Sequence, residues 1–169
     1  MAWANSAIFQ QAMLNPMLGR LWTTAAPTTF SSLSADTVDF ALFGSAVTPD
    51  KTAAVASTGY NTGTWTTGNE TSGTGYTAGG SALASKAFAI DTGSSSICFT
   101  AANVSWTTAT ITASGGLCYD ATITAGTVAK QGMCFNYFGG SQSVTGGTFT
   151  VQWATPAGAA VTAVFNVTV

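Results

Sequence analysis

Histidine is absent from this 169-residue chain, and charge is nearly so. Four Lys and Arg and six Asp and Glu make up 6% of the residues, against roughly 25% in an average soluble protein. Each shortage excludes something. Without histidine, a serine or cysteine nucleophile loses its usual base, and a zinc site loses its commonest nitrogen ligand. With so few cations and a net charge of −2, nothing can neutralise a phosphate backbone, so nucleic acid is not expected as a partner. The N-terminus lacks a basic region, and Asn5, Gln10, Gln11 and Asn15 interrupt its apolar stretch. No signal peptide, no membrane span and folding in a cytoplasm are therefore expected. The sequons at Asn69, Asn103 and Asn166 then carry no glycan.

The three cysteines, Cys98, Cys118 and Cys134, show no Cys-x-x-Cys spacing, and each lies in an apolar strand-like run ("SICFT", "GLCYD", "GMCFN"). They read as small buried hydrophobes rather than reactive thiols. The acids Asp36, Asp39, Asp50, Glu70, Asp91 and Asp120 are scattered, and neither a glycosidase pair nor a calcium loop emerges from their spacing. The expectation is a protein that is not an enzyme, with no catalytic residues, no cofactor and no metal.

What is present is hydroxyl, glycine and apolar surface. Thirty threonines, 19 glycines and 46% hydrophobic residues fit a turn-rich β protein rather than a disordered chain. So little charge repulsion leaves a free monomer prone to associate. From Thr37 onwards the apolar period is two. "VDFALF" sets Val38, Phe40 and Leu42 on one face; "ALASKAFAI", "SSSICFT", "ANVSW", "ATITA", "GGLCYDA", "KQGMCFNYF", "GTFTVQW" and "AVTAVFNVTV" follow. Phe149, Val151 and Trp153 alternate, as do Val161, Ala163, Phe165 and Val167. Short strands separated by turn signals predict an antiparallel β-sandwich, jelly-roll or Ig-like.

The front of the chain reads differently. "NSAIFQQAMLNPMLGRLW" places Ile8, Phe9, Ala12 and Met13 on one helical face, with Asn5 or Ser6 as cap and Pro16 restarting a second turn. This predicts a helical arm and linker over residues 1–36 and a β-domain over 37–169. Ile8, Phe9, Met13, Met17, Leu18, Leu21 and Trp22 are the arm's candidate assembly contacts.

"NETSGTGYTAGG" (Asn69–Gly80) resembles a phosphate loop at first sight. Its third glycine arrives one residue late for a dinucleotide fingerprint, and no lysine follows as a P-loop requires. The glycines read instead as a strand connection that needs positive φ, pinned by Tyr76. Trp65, in "NTGTWTTGNE", is the best candidate among the tryptophans for an exposed loop contact, although aromatic side chains in β proteins more often anchor loops onto the sheet, and Trp153 is expected in the core. Trp65, Tyr60 and Tyr76 are the residues of an alternative reading, a carbohydrate-binding adhesion module.

Taken in order, "NETSGTGYTAGG", "VSWTTATITA" and "FGGSQSVTGGTFTVQW" resemble the small structural proteins of tailed bacteriophages, a family whose best-supported role is head decoration. The resemblance runs from about Thr37 to Val169. It implies a capsid decoration (cement) protein: a homo-oligomer, by analogy a trimer, that binds the major capsid protein on the virion surface and stabilises the head. It supplies no catalytic residues, and it makes the glycine stretch a connecting element with Trp65 and Tyr76 as loop contacts. A tail- or fibre-associated virion protein is the rival within the same class.

Overall fold

The computed structural model describes residues 5–9, 35–126, 128–155, 157–158 and 160–168. They form an all-β sandwich of two antiparallel sheets. The large sheet has the order β1-β7-β6-β2-β3, with β1 Ala7–Ile8, β2 Val38–Phe43, β3 Ser81–Ala82, β6 Val104–Asp120 and β7 Gly132–Val151. The small sheet has the order β4-β5-β8, with β4 Ala87–Asp91, β5 Ser96–Thr100 and β8 Phe165–Thr168. A 3-10 turn, Val55–Ser57, lies in the connection after β2.

The "VDFALF" strand lies where the alternation puts it. Val38, Phe40 and Leu42 join Phe99, Trp106, Ile111, Phe149, Val151 and Trp153 in the core between the two sheets. Trp153 is buried as expected, its ring edge-on to Phe40 at 5.1 Å and its indole N–H donating to the Ala102 carbonyl (2.9 Å). Ala41 and Phe43, on the opposite face of β2, are fully buried too, in a second core with Phe9, Val47, Tyr60, Trp65, Leu117, Tyr119 and Phe135. The large sheet is thus covered on both sides, by the small sheet on one and by the connection after β2 on the other.

Several short runs fuse. "ANVSW", "ATITA" and "GGLCYDA" belong to the single strand β6, and "KQGMCFNYF" and "GTFTVQW" to β7. Register shifts at Trp106/Ala109, Ala109/Ile111, Ala113/Gly115 and Cys118/Tyr119 explain why they look separate. Each bulge resets the face on which the next side chain points, so period two breaks without the strand ending. Conversely, "ALASKAFAI" splits: β3 ends at Ala82, and Ser85, at φ 53°, turns the chain into β4.

The helix expected at the front is not what residues 5–9 form. Ala7–Ile8 is a strand, paired with β7 in the register Ala7↔Phe135 and Ile8↔Cys134. Phe9 is fully buried between Trp65 and Phe135. The edge of β7 offers unpaired backbone groups that a helix could not satisfy, and this outweighs the helical spacing. The expected arm boundary at residue 36 therefore does not separate Ala7–Phe9 from the β-domain. Met13, Met17, Leu18, Leu21 and Trp22 lie outside the described residues.

Candidate interaction surface

The glycine-rich stretch is a clamp on the sheet. Glu70, buried, accepts three hydrogen bonds: from the Tyr60 hydroxyl (2.7 Å), the Tyr76 hydroxyl (2.6 Å) and the Gly79 backbone N–H (2.7 Å). The Tyr76 oxygen in turn accepts the Leu42 N–H at 2.9 Å, and Tyr119 donates to the Gly79 carbonyl at 2.9 Å. Burial, reinforced by Glu70 for the first two, holds Tyr60, Tyr76 and Tyr119 well above the ordinary phenol range, so they stay neutral donors. Glycine is required where this backbone presses on the strands. At Gly80 (φ 80°) a Cβ would fall on the Phe40 carbonyl, and at Gly73 (φ 148°) on that of Thr110. After the glycines comes strand β3 rather than a helix, so a helix N-terminus that could hold phosphate does not follow.

Trp65, the candidate for an exposed contact, is instead buried and anchors its loop onto the sheet, and Tyr76 is half-buried. Trp65 is 1% exposed and packs on Phe43 at 5.2 Å and Phe135 at 5.8 Å. Tyr60 is buried and stacks on Tyr119 at 4.8 Å. Tyr76 is half-buried against Trp106 at 5.7 Å. The stacking platform of the adhesion reading is therefore not formed by these three rings. Trp65 is drawn inwards because the loop carrying it closes over β2 and β6, where burying an indole outweighs leaving it in water.

The acids are less scattered than their spacing suggests. Asp120, fully buried at the end of β6, meets Asp36, and their Oδ2 atoms have no other partner. Burial, with the adjacent Asp36 carboxyl adding to it, raises Asp120 to about 6 even though the Thr122 N–H opposes the shift. Asp91 behaves oppositely. Backbone N–H donors, foremost Ala160 (2.6 Å) with Gly93 (2.8 Å), hold its carboxyl below the usual range. Among the described residues no three His, Cys, Asp or Glu side chains gather as metal ligands, and no helix is long and apolar enough to cross a membrane. Cys98, Cys118 and Cys134 are free thiols and all buried, as their apolar runs imply. Burial pushes Cys98 and Cys118 up from the ordinary thiol range.

Among the described residues, three surfaces are at least partly open. The first is apolar. The small sheet's inner face carries the row Phe88–Phe99–Phe165, with ring centroids 5.1 and 5.2 Å apart, onto the core. The next row on that same face, Ile90–Ile97–Val167, runs past the core's edge. Ile90 is 81% exposed, Ile97 42% and Phe88 49%. The second surface is the β6–β7 ribbon, whose outer face carries the hydroxyl pairs Ser105–Thr150 and Thr112–Ser143, with Ser114–Ser141 continuing the series where Ser114 is buried, each pair at 2.8 Å. The third is a groove of about 1210 Å³ beside the outer edge of β7, lined among others by Ile8, Phe138, Gln142, Phe149, Trp153 and Phe165. The threonine-rich run "VSWTTATITA" is the signal from which the hydroxyl ladder could have been found. The other two surfaces depend on which strands become neighbours, which local sequence does not state. Comparison with protein families, with curated proteins and with solved structures finds no match for this chain.

Proposed function

We propose that this chain is a structural virion protein, a decoration (cement) protein that binds the major capsid protein on a tailed-phage head as a homo-oligomer, by preference a trimer. The row Ile90–Ile97–Val167, whose two isoleucines are exposed and whose valine is partly buried, carries the reading. Burying each isoleucine is worth roughly 1.5–3 kcal/mol, and a rigid sheet presents them without a further ordering cost. Around them the surface is nearly uncharged and rich in hydroxyls, so docking requires little desolvation of ions. A protein that binds the assembled shell but not its unfolded subunits stabilises the shell by mass action, and many copies on a lattice multiply a small energy per site. Catalysis plays no part in this account.

The test is to add the wild-type chain and Ile90→Asp/Ile97→Asp to undecorated heads, then to measure bound copies and the temperature of head rupture. Saturable binding with a raised rupture temperature for the wild type, both lost in the variant, is the expected result. Copies found only on tails would replace the head role with a tail role. No binding to either would remove the phage reading.

A further inference from the structure

We propose that Cys118 and Cys134 form an oxidisable dithiol site, and that a hydroperoxide reaching it through the groove beside β7 joins them in a disulfide. The three thiols of the chain differ in what they face. Cys118 and Cys134 are directly opposed across β6 and β7, in the row Ile8–Cys134–Cys118–Phe40, and their side chains meet in the core between the sheets. Cys98 belongs elsewhere. Its neighbour Phe99 points into that core, so Cys98 points to the other face of the small sheet, in a row with Ala89 and Asn166. No second sulfur lies in that row. The fold thus sorts three similar apolar runs into one pair and one single thiol.

The pairing geometry suits a bond. Directly opposed residues of an antiparallel pair have Cα atoms about 4.5–5.5 Å apart, within the roughly 4.4–6.8 Å that disulfides span. The register shift between Cys118 and Tyr119 leaves Met133 as an extra residue beside the pair, and at such a bulge the strand can bend to bring the sulfurs together. The groove sets the order of events. Cys134 is one of its wall residues, whereas Cys118 is fully buried one strand further in. The Cys134 thiol donates to Asn136 Oδ1 at 3.7 Å, on the same wall. Burial slows a thiol, so contact between the two must carry the chemistry. The Cys134 sulfur attacks one oxygen of the hydroperoxide. The O–O bond breaks, the other oxygen leaves with the thiol proton, and Cys134 becomes a sulfenic acid. The Cys118 sulfur then attacks the Cys134 sulfur, the S–O bond breaks as the S–S bond forms, and the hydroxyl leaves as water with the Cys118 proton. The two thiols give up two electrons, which the hydroperoxide takes. The site does not depend on which particle the chain serves. Within the virion reading it becomes a lock that closes after release from a reducing cell, and that consequence alone rests on the reading.

The experiment treats native, full-length wild-type protein with hydrogen peroxide, quenches it in acid and alkylates the remaining thiols. Intact mass should show the loss of two hydrogens, and non-reducing peptide maps a Cys118–Cys134 link with Cys98 alkylated. Dithiothreitol should restore all three thiols. In urea, where the fold no longer chooses partners, Cys98 should enter bonds as well. Native protein that keeps its three thiols under peroxide, links Cys98, or joins separate chains would overturn the proposal. The order of attack has its own check. Cys118→Ala should leave Cys134 as a sulfenic acid that a 1,3-dione traps, while Cys134→Ala should leave Cys118 a thiol; trapping on Cys118 instead would overturn the groove route. Should either variant fail to fold, the wild-type map still decides. The assay contains no capsid, so its outcome stands apart from the virion reading.

Discussion

The two faces of the large sheet are built by different means. On one, strands pack on strands: Phe40, Trp106, Phe149 and Trp153 meet Phe99 of the small sheet. On the other, an irregular connection supplies the cover, with Trp65, Tyr60 and Val47 drawn onto Ala41, Phe43 and Leu117, and Phe9 arriving from the far end of the sequence. The first face is held by alternation repeated over many residues. The second hangs on a few large rings and one buried carboxylate, Glu70. Regular pairing spreads stability over a ladder, whereas a loop cover concentrates it in anchors.

Removing an anchor should therefore have the largest effect. Trp65→Ala is expected to cost about 3–5 kcal/mol and to expose amides 44–80 to hydrogen exchange, while β4, β5 and β8 stay protected. Combined with Phe9→Ala, the loss should be less than additive, because the rings touch. Phe40→Ala should lower protection evenly across both sheets. Uniform loss of protection in Trp65→Ala would erase the distinction.

The carboxylate comes next. Glu70→Ala removes the acceptor of three hydrogen bonds, taking the acceptor from the buried Tyr60 hydroxyl and leaving Tyr76 with the Leu42 N–H alone, an expected loss of about 2–3 kcal/mol by denaturant titration. Glu70→Gln, which keeps one acceptor oxygen, should cost less. Equal losses for both would mean that the side chain's volume matters and its charge does not.

What was legible follows the same division. Val38, Phe40, Leu42, Phe149, Val151 and Trp153 could be placed in the core because an apolar residue at every second position needs only the pleat to define its face. Trp65 could not. Its neighbours "NTGTWTTGNE" are polar, and its burial follows from where the chain returns after β2, a long-range fact. Ile8 and Phe9 show helical spacing, but the open edge of β7 lies more than 120 residues away and decides their conformation. Glu70 left a fainter signal, an acid flanked at a distance by Tyr60 and Tyr76 in a chain with six acids. The pairing of Asp36 with Asp120 left none.

That pair sharpens the comparison through pH. Burial and the neighbouring Asp36 carboxyl push Asp120 up from the ordinary 3.8 to about 6 in the folded protein, so the folded state holds its proton more tightly. The stabilisation is fully present below pH ~4 and is lost as pH rises through about 6. Wild-type stability should fall over that window by about 1–3 kcal/mol, an upper range set by 1.36 kcal/mol per pH unit. Asp120→Asn should flatten the slope in thermal melts at stepped pH. The lowered Asp91 works in the opposite sense, contributing above its unfolded value and losing that contribution in acid. A slope unchanged by Asp120→Asn would place the titration elsewhere.

The smallest effect belongs to the exposed isoleucines. Ile90→Thr should leave stability within about 0.5 kcal/mol, since Ile90 is 81% exposed, yet weaken association measurably. A large loss of stability would mean that Ile90 is covered within its own chain and is no docking residue.

A cryo-EM reconstruction of particles carrying this chain tests the central claim most directly. The account predicts β-sandwich density repeated at icosahedral positions on the outer head, in clusters of three, with the Ile90–Ile97–Val167 row against the major capsid protein. Density confined to the tail, or a head contact made without the small sheet, would contradict it.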